Sequence, residues 1–254
     1  HPLSCILEWA IAKSKQLKVE NVICFSSVSM PILAILRKNL LDSRTTQIFY
    51  KKELPHYFDE GVLKTIYGYQ FDLVKIENNA AIAHFNGSNI LLTEFDETWS
   101  IDLGRDVDFV IGIDPQLGSI ALVNGEKNAG YISEIQHVRR RESIAMTPND
   151  CLSVLEQLVG HSCEESNTHL NQQNTALVVS SIKDITNTDT DAVVGSSGLV
   201  IQYAIMMGLV HHALDAHKGK DIKFIVPPNC YGGTNDQARR VAACIANVEL
   251  VDLP

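Results

Sequence analysis

Positive charge is in short supply along this chain. Its 254 residues carry 21 Lys and Arg against 30 Asp and Glu, a formal net charge of −9 with a pI near 5.4. Nucleic acid and anionic membrane surfaces reward clustered cations, so neither is expected as the main partner, and a small-molecule ligand fits better. Paired cysteine spacings are missing too: Cys5, Cys24, Cys151, Cys163, Cys230 and Cys244 are scattered, several on apolar element faces. They read as reduced thiols of a cytoplasmic protein. No apolar run is expected to reach the length of a membrane span, and no basic-then-apolar leader is visible.

What is present is ordinary for a soluble globular protein, with 45% hydrophobic and 20% charged residues and length for one large or two medium domains. Residues 1–160 read as a mixed α/β region of unknown role. Helical spacing covers Pro2–Leu17 and Pro31–Leu40, and a glycine- and tyrosine-containing helix is expected near Gly61–Tyr69. Strand-like runs fall at Val22–Phe25, Thr46–Tyr50, Phe71–Ile76, Ala80–Phe85, Asn89–Thr93, Val107–Ile113 and Ser119–Val123. Asn86-Gly87 predicts a hairpin between two of these runs. Two helices close the region. Gly130–Glu142 ends on Arg139-Arg140-Arg141, read as a solvated helix end, and Thr147–Val159 opens with Thr147 as N-cap and Pro148 at the first helical position.

Residues 161–190 form a polar linker and a lead-in helix, with helix-like spacing over Thr175–Ile185. His161, Cys163 and His169 lack the tight pairing of a zinc site, so no metal is assigned.

The chemistry is expected in 191–254. Ala192, Val193 and Val194 predict a buried strand that breaks at Gly195-Ser196-Ser197-Gly198 into a long helix, whose apolar face is Leu199, Tyr203, Met206, Met207 and Val210. A helix N-terminus leaves amide N–H groups free and carries partial positive charge, so it receives an anion where glycine lets the ligand come close. The turn has neither the P-loop lysine nor G-x-G-x-x-G spacing. A second strand, Lys223–Val226, is followed by Asn229-Cys230-Tyr231-Gly232-Gly233-Thr234, a helix over Asn235–Ala246 and a third strand, Val248–Leu253. That order predicts a parallel sheet with right-handed crossovers, and ligands in such sheets sit at the carboxyl ends of the strands.

These residues also carry a resemblance. Ser197-Gly198-Leu199 at a helix start, Tyr231-Gly232-Gly233-Thr234 one crossover later and then Arg239-Arg240-Val241-Ala242 are similar to the pyridoxal-phosphate (PLP) enzymes of cysteine and methionine metabolism, the cystathionine γ-synthase family. The similarity covers residues 172–254. It implies a fold class: an α/β chain that starts a fold-type I, aminotransferase-like PLP domain with a mostly parallel sheet, preceded by a separate mixed α/β region. It also implies that Ser197, Gly198 and Leu199 anchor the cofactor phosphate, with leucine in place of the family's methionine, and that Tyr231 stacks on the pyridine ring and takes part in proton transfer.

The implied activity is that of a lyase or transferase of transsulfuration, eliminating or replacing at the β or γ carbon of an amino-acid substrate, in a homo-oligomer. The family's Tyr-x-Arg and Asn-Pro-Thr elements find no match in residues 161–191. The cofactor lysine and the aspartate that pairs with the pyridine nitrogen are expected beyond residue 254, which makes this a fragment, inactive as it stands. Family members have only a short arm before the phosphate turn, so residues 1–160 are expected to be an appended regulatory or oligomerisation region. The alternative is a non-catalytic α/β protein that binds a phosphate ligand or regulates.

Overall fold

Short runs of β-branched and aromatic residues alternate here with helical spacing, and the chain folds accordingly. The computed structural model describes residues 1–55, 58–104, 106–161 and 168–254, with side chains from residue 173 onward in the last span. In chain order the elements are α1 (Pro2–Ser14), β1 (Val22–Phe25), α2 (Met30–Leu41), β2 (Thr46–Tyr50), α3 (Glu60–Thr65) and β3 (Phe71–Lys75). Next come β4 (Ser88–Glu94), α4 (Phe95–Thr98), β5 (Phe109–Asp114), β6 (Gly118–Val123), α5 (Gly130–Arg141) and α6 (Pro148–Leu158). The chain continues through α7 (Thr168–Thr186), α8 (Gly198–Ala216), β7 (Ile222–Val226), α9 (Gly232–Cys244) and β8 (Val248–Asp252).

The first six strands make one sheet in the order β1-β6-β5-β4-β2-β3. β2 runs parallel to β3 and β4, and β4 parallel to β5, while β6 is antiparallel to both of its neighbours. Helices cover both faces. Leu7 and Ile11 of α1 and Cys151 and Val154 of α6 pack on Cys24, Leu91, Val110 and Leu122. On the other face Ile32 and Ile35 of α2 and Ile135 and Val138 of α5 meet Ile23, Ile48, Ile90 and Ile111. A sheet buried on both faces needs continuous apolar strands, as VICF and ILL are. β7 and β8 form a separate two-stranded parallel sheet, on which α8 and α9 pack through Tyr203, Met207, Val210 and Val241.

Several expectations need correction. Ala80–Phe85 is not a strand but a single 3₁₀ turn at Asn79–Ala81 followed by irregular chain, so Asn86-Gly87 closes no hairpin. β4 already has parallel partners on both sides. Gly87 is small for another reason: a Cβ there would lie 2.5 Å from the Thr45 carbonyl oxygen. Ala192–Val194 is unpaired, with Val193 82% exposed, because among the described residues no strand stands beside it. α9 starts at Gly232 rather than Asn235, and α7 begins before Thr175.

Arg139 is not a solvated helix end; it is largely buried, 2.5 Å from Glu8. α8 is, by length and composition, apolar enough to cross a membrane, contrary to the expectation that no run would be. Only 11% of that stretch is buried: Tyr203, Met207 and Val210 are packed inside the protein, while Ile205 and Leu209 are exposed. Cys163, one of the residues considered for a metal, lies outside the described residues.

Candidate functional site

The turn into α8 is built from its small residues. Ser197 is extended at φ −159° and ψ 162°, and its Oγ accepts from the Val200 amide at 3.3 Å, an N-cap of the usual kind. A Cβ on Gly195 would sit 2.7 Å from Ile201 Cγ1, so only glycine lets the chain lie against that side chain. At Gly198 a Cβ would meet nothing within 4 Å, which leaves open space over the first turn of α8. The amides of that first turn have no intrahelical acceptor.

α9 brings a second helix N-terminus alongside. Tyr231 is its N-cap residue and is 65% exposed. A Cβ on Gly233 would lie 2.6 Å from Tyr231 Cε1 and 2.8 Å from Leu199 Cδ2, so the tyrosine ring and Leu199 both lie against the glycine. Polar side chains fix this pairing. Thr234 Oγ1 donates to Gln202 Oε1 at 2.8 Å, and Gln202 Nε2 donates to Gln237 Oε1 at 2.9 Å. Gln237, fully buried, donates to the Leu199 carbonyl at 2.8 Å and to the Arg141 carbonyl at 2.6 Å. The structure therefore brings Ser197, Gly198, Leu199 and Tyr231 close together near the N-terminal ends of α8 and α9, with open space at Gly198. Such an arrangement favours a bound anion with a flat ring beside it.

The arginines of the resemblance turn elsewhere. Arg239 pairs with Asp252 at 2.6 Å, and Arg240 hydrogen-bonds Glu134 and, at 3.2 Å, Glu142. Glu142 also receives both terminal nitrogens of Arg37, whose Nη2 donates to Tyr203 Oη at 3.2 Å. Burial works against the Arg37 charge, yet the hydrogen bond to Glu142 and the attraction of Tyr203, Glu142 and Tyr69 together outweigh it, and its pKa is raised well above the ordinary value. Burial likewise pushes the Tyr203 phenol well up. This ion cluster ties 198–252 to the first sheet.

A second place was missed by reading the sequence. A cavity of about 720 Å³ opens at the carboxyl ends of β2, β4 and β5, between the β1–α2 turn and the chain after β2. Val28, Leu54, Leu92 and Ile113 give it apolar walls. Lys51 pairs with Glu97 at 2.8 Å and Lys52 with Glu94 at 2.6 Å, and Thr93 Oγ1 donates to Glu97 at 3.1 Å. The hydrogen bond from Lys51 holds the Glu97 carboxyl below the usual range. A signal was available: two lysines directly after one parallel strand and a Glu-x-x-Glu at the end of the next point to the same edge of the sheet. Another cavity, about 840 Å³, lies between the two parts of the molecule and is lined by Ser26, Ser27 and Met30 on one side and Ser196, Val200 and Tyr203 on the other.

No protein-family model matches the chain, and no curated protein matches it either. Among solved structures, a protein described as an L-allo-threonine aldolase from Listeria monocytogenes aligns at 14% identity and TM-score 0.42, over 63% of this chain and 59% of its own. One described as a histidinol-phosphate aminotransferase, from Erwinia carotovora atroseptica, aligns at 13% identity and TM-score 0.36, over 82% and 76%. An aminotransferase from Streptoalloteichus hindustanus aligns at 11% identity and TM-score 0.34, over 62% and 57%. The chain thus spans less than two thirds of the length of the first and third of these.

Proposed function

We propose that residues 191–254 hold pyridoxal 5′-phosphate and that the chain is part of an enzyme acting on amino acids. The observation that carries this reading is the packing of Leu199 and Tyr231 against Gly233, beside the uncovered turn at Gly198. In it the first-turn amides at Gly198 and Leu199 bind the phosphate, with Ser197 holding the turn's shape. The Tyr231 ring lies against the pyridine face, and its Oη holds or passes a proton near the substrate. When bound, the cofactor supplies a sink for the electrons left on an amino-acid carbon.

The fit rests on donor chemistry and space: two helix N-termini, a glycine over open space and an exposed aromatic ring. The finer reading is the transsulfuration chemistry of the cystathionine γ-synthase family, within a fold-type I domain, a homo-oligomer and a cytoplasmic setting. It is supported by the Ser197-Gly198-Leu199 and Tyr231-Gly232-Gly233-Thr234 stretches and by the unpaired thiols of Cys5, Cys24, Cys151, Cys230 and Cys244. α8 is taken as a packed helix, since its inner face is covered by α9.

A second reading, a non-catalytic phosphate-ligand or regulatory protein, is favoured by the missing Tyr-x-Arg element in 161–191. Titration with PLP, followed by cofactor absorbance and by quenching of protein fluorescence, tests the reading. Saturable binding is expected, weakened by about tenfold or more in Tyr231→Ala and in Gly198→Val, each a loss of about 1.4 kcal/mol or more. Both variants should keep the native circular dichroism. Unchanged affinity in both would sink it.

A further inference from the structure

Two stretches of the chain share an order of serine turn, helix, strand, helix and strand: α2-β2-α3-β3 and α8-β7-α9-β8. Val22-Ile-Cys-Phe-Ser26-Ser27 precedes α2, and Ala192-Val-Val-Gly-Ser196-Ser197 precedes α8, 170 positions later. Ser27 Oγ accepts from the Met30 amide at 3.2 Å, as Ser197 Oγ accepts from the equivalent Val200 amide at 3.3 Å. β2 pairs parallel with β3 over five residues from Thr46 opposite Phe71, and β7 with β8 over five residues from Ile222 opposite Val248. The bonds that frame the two pairs also repeat. Thr46 N donates to Gln70 O and Ile222 N to Asn247 O, at 3.2 and 2.7 Å; Ile76 N donates to Tyr50 O and Leu253 N to Val226 O, at 2.9 and 3.0 Å.

This shared order sets the 720 Å³ cavity of the first stretch against the cofactor turn of the second. Counted from the paired serines, Val28 takes the place of Gly198, and Asp59, the N-cap residue of α3, takes that of Tyr231, the N-cap residue of α9. The first stretch thus carries a valine side chain where the second has glycine, and an aspartate rather than an aromatic ring at the N-cap of its second helix. It has charges instead. Lys51 and Lys52 follow β2 where Pro227 and Pro228 follow β7, and at the cavity they pair directly with Glu97 in α4 and Glu94 at the end of β4. Two amines balance two carboxylates above apolar walls. A ligand of one charge sign would leave one partner of a pair bare, whereas a ligand with an ammonium and a carboxylate on an apolar body re-pairs both.

We propose that this cavity is a binding site for a free amino acid with an apolar side chain, taken without phosphate or cofactor. Its carboxylate pairs with Lys51, its ammonium with Glu97, and its side chain lies against Val28, Leu92 and Ile113. The site stands on the cavity and its ion pairs and does not depend on the cofactor reading of the second unit.

Isothermal titration of the chain with L-leucine and L-methionine, in the absence of PLP, tests it. Saturable binding of one molecule per chain is expected, at least about tenfold weaker for 4-methylpentanoate, which lacks the amine, and for isoamylamine, which lacks the carboxylate. Lys51→Gln and Glu97→Gln should each weaken the amino acid by about tenfold or more with unchanged circular dichroism. PLP affinity, measured on the same two variants, should not move, which separates a failure here from a failure of the cofactor reading. No saturable heat with either amino acid, or affinity unchanged in both variants, would overturn the proposal.

Discussion

α2 and α8 each follow a Ser-Ser turn and precede a parallel strand pair, but in two different surroundings. Ile35 of α2 is fully buried on the six-stranded sheet and its counterpart Ile205 of α8 is 55% exposed; Asn39 is 1% exposed and its counterpart Leu209 is 61% exposed. The residues differ less than their neighbours do. In the first unit β4, β5 and β6 stand between β1 and β2 and give α2 a floor, while in the second unit only β7 and β8 are paired. A helix face is buried by what lies under it, and an apolar pattern states only that something can. The same contrast governs the turns: Val28 closes one, and Gly198 leaves the other open.

The joint between the units gives the largest expected effect. Glu142 is fully buried and receives Arg37 from α2 and Arg240 from α9. Glu142→Gln leaves the buried Arg37 guanidinium without its paired carboxylate, while Arg240 keeps Glu134, a loss of about 3–5 kcal/mol. Urea unfolding should show it as one large drop in midpoint. A midpoint shift under about 1 kcal/mol would mean that the units are held together elsewhere.

Next comes the helix comparison itself. Ile35→Ala removes a side chain from a closed core and should cost about 2–5 kcal/mol, whereas Ile205→Ala should stay within about 0.5 kcal/mol. Equal losses at the two positions would show that α8 is covered in solution.

The smallest effect is electrostatic. The Lys51 hydrogen bond holds the Glu97 pKa down, so as pH falls the unfolded chain takes up this proton before the folded one does. The pair's stabilisation is full above the unfolded carboxylate pKa of about 4.3 and fades as pH falls through the lower folded value. Both side chains are a quarter or more exposed, so the effect is small and screened by salt. The stability difference between the native chain and Glu97→Gln should shrink on acidification and on addition of salt. A difference flat in both would show that the pair is open in solution.

Much of this fold was legible. Val22–Phe25 and Thr46–Tyr50 were placed to the residue, because short apolar runs between turn residues have few other ways to be buried. Ala80–Phe85 looked equally good and failed, and so did Ala192–Val194, since a strand exists only beside a neighbour and a single sequence does not name one. The turn at Ser197–Leu199 and Tyr231 were readable because each motif is local, and the Gln237 network then brought them together. The first cavity was not readable in the same way. Lys51 and Glu97 are 46 positions apart and meet only because β2 and β4 run parallel. The shared order was hidden for a related reason: in the turn itself only Ser26-Ser27 and Ser196-Ser197 are identical, and the likeness lies in the bonds those serines make.

The most direct test of an open phosphate turn is PLP titration of the native chain beside Gly198→Val, which gives the second turn the residue the first turn has. A Cβ at Gly198 meets nothing within 4 Å, so the variant should fold as the native chain does. Saturable binding by the native chain, and binding at least about tenfold weaker in the variant, is the predicted result. Equal affinity in the two, or none in the native chain, would contradict the account.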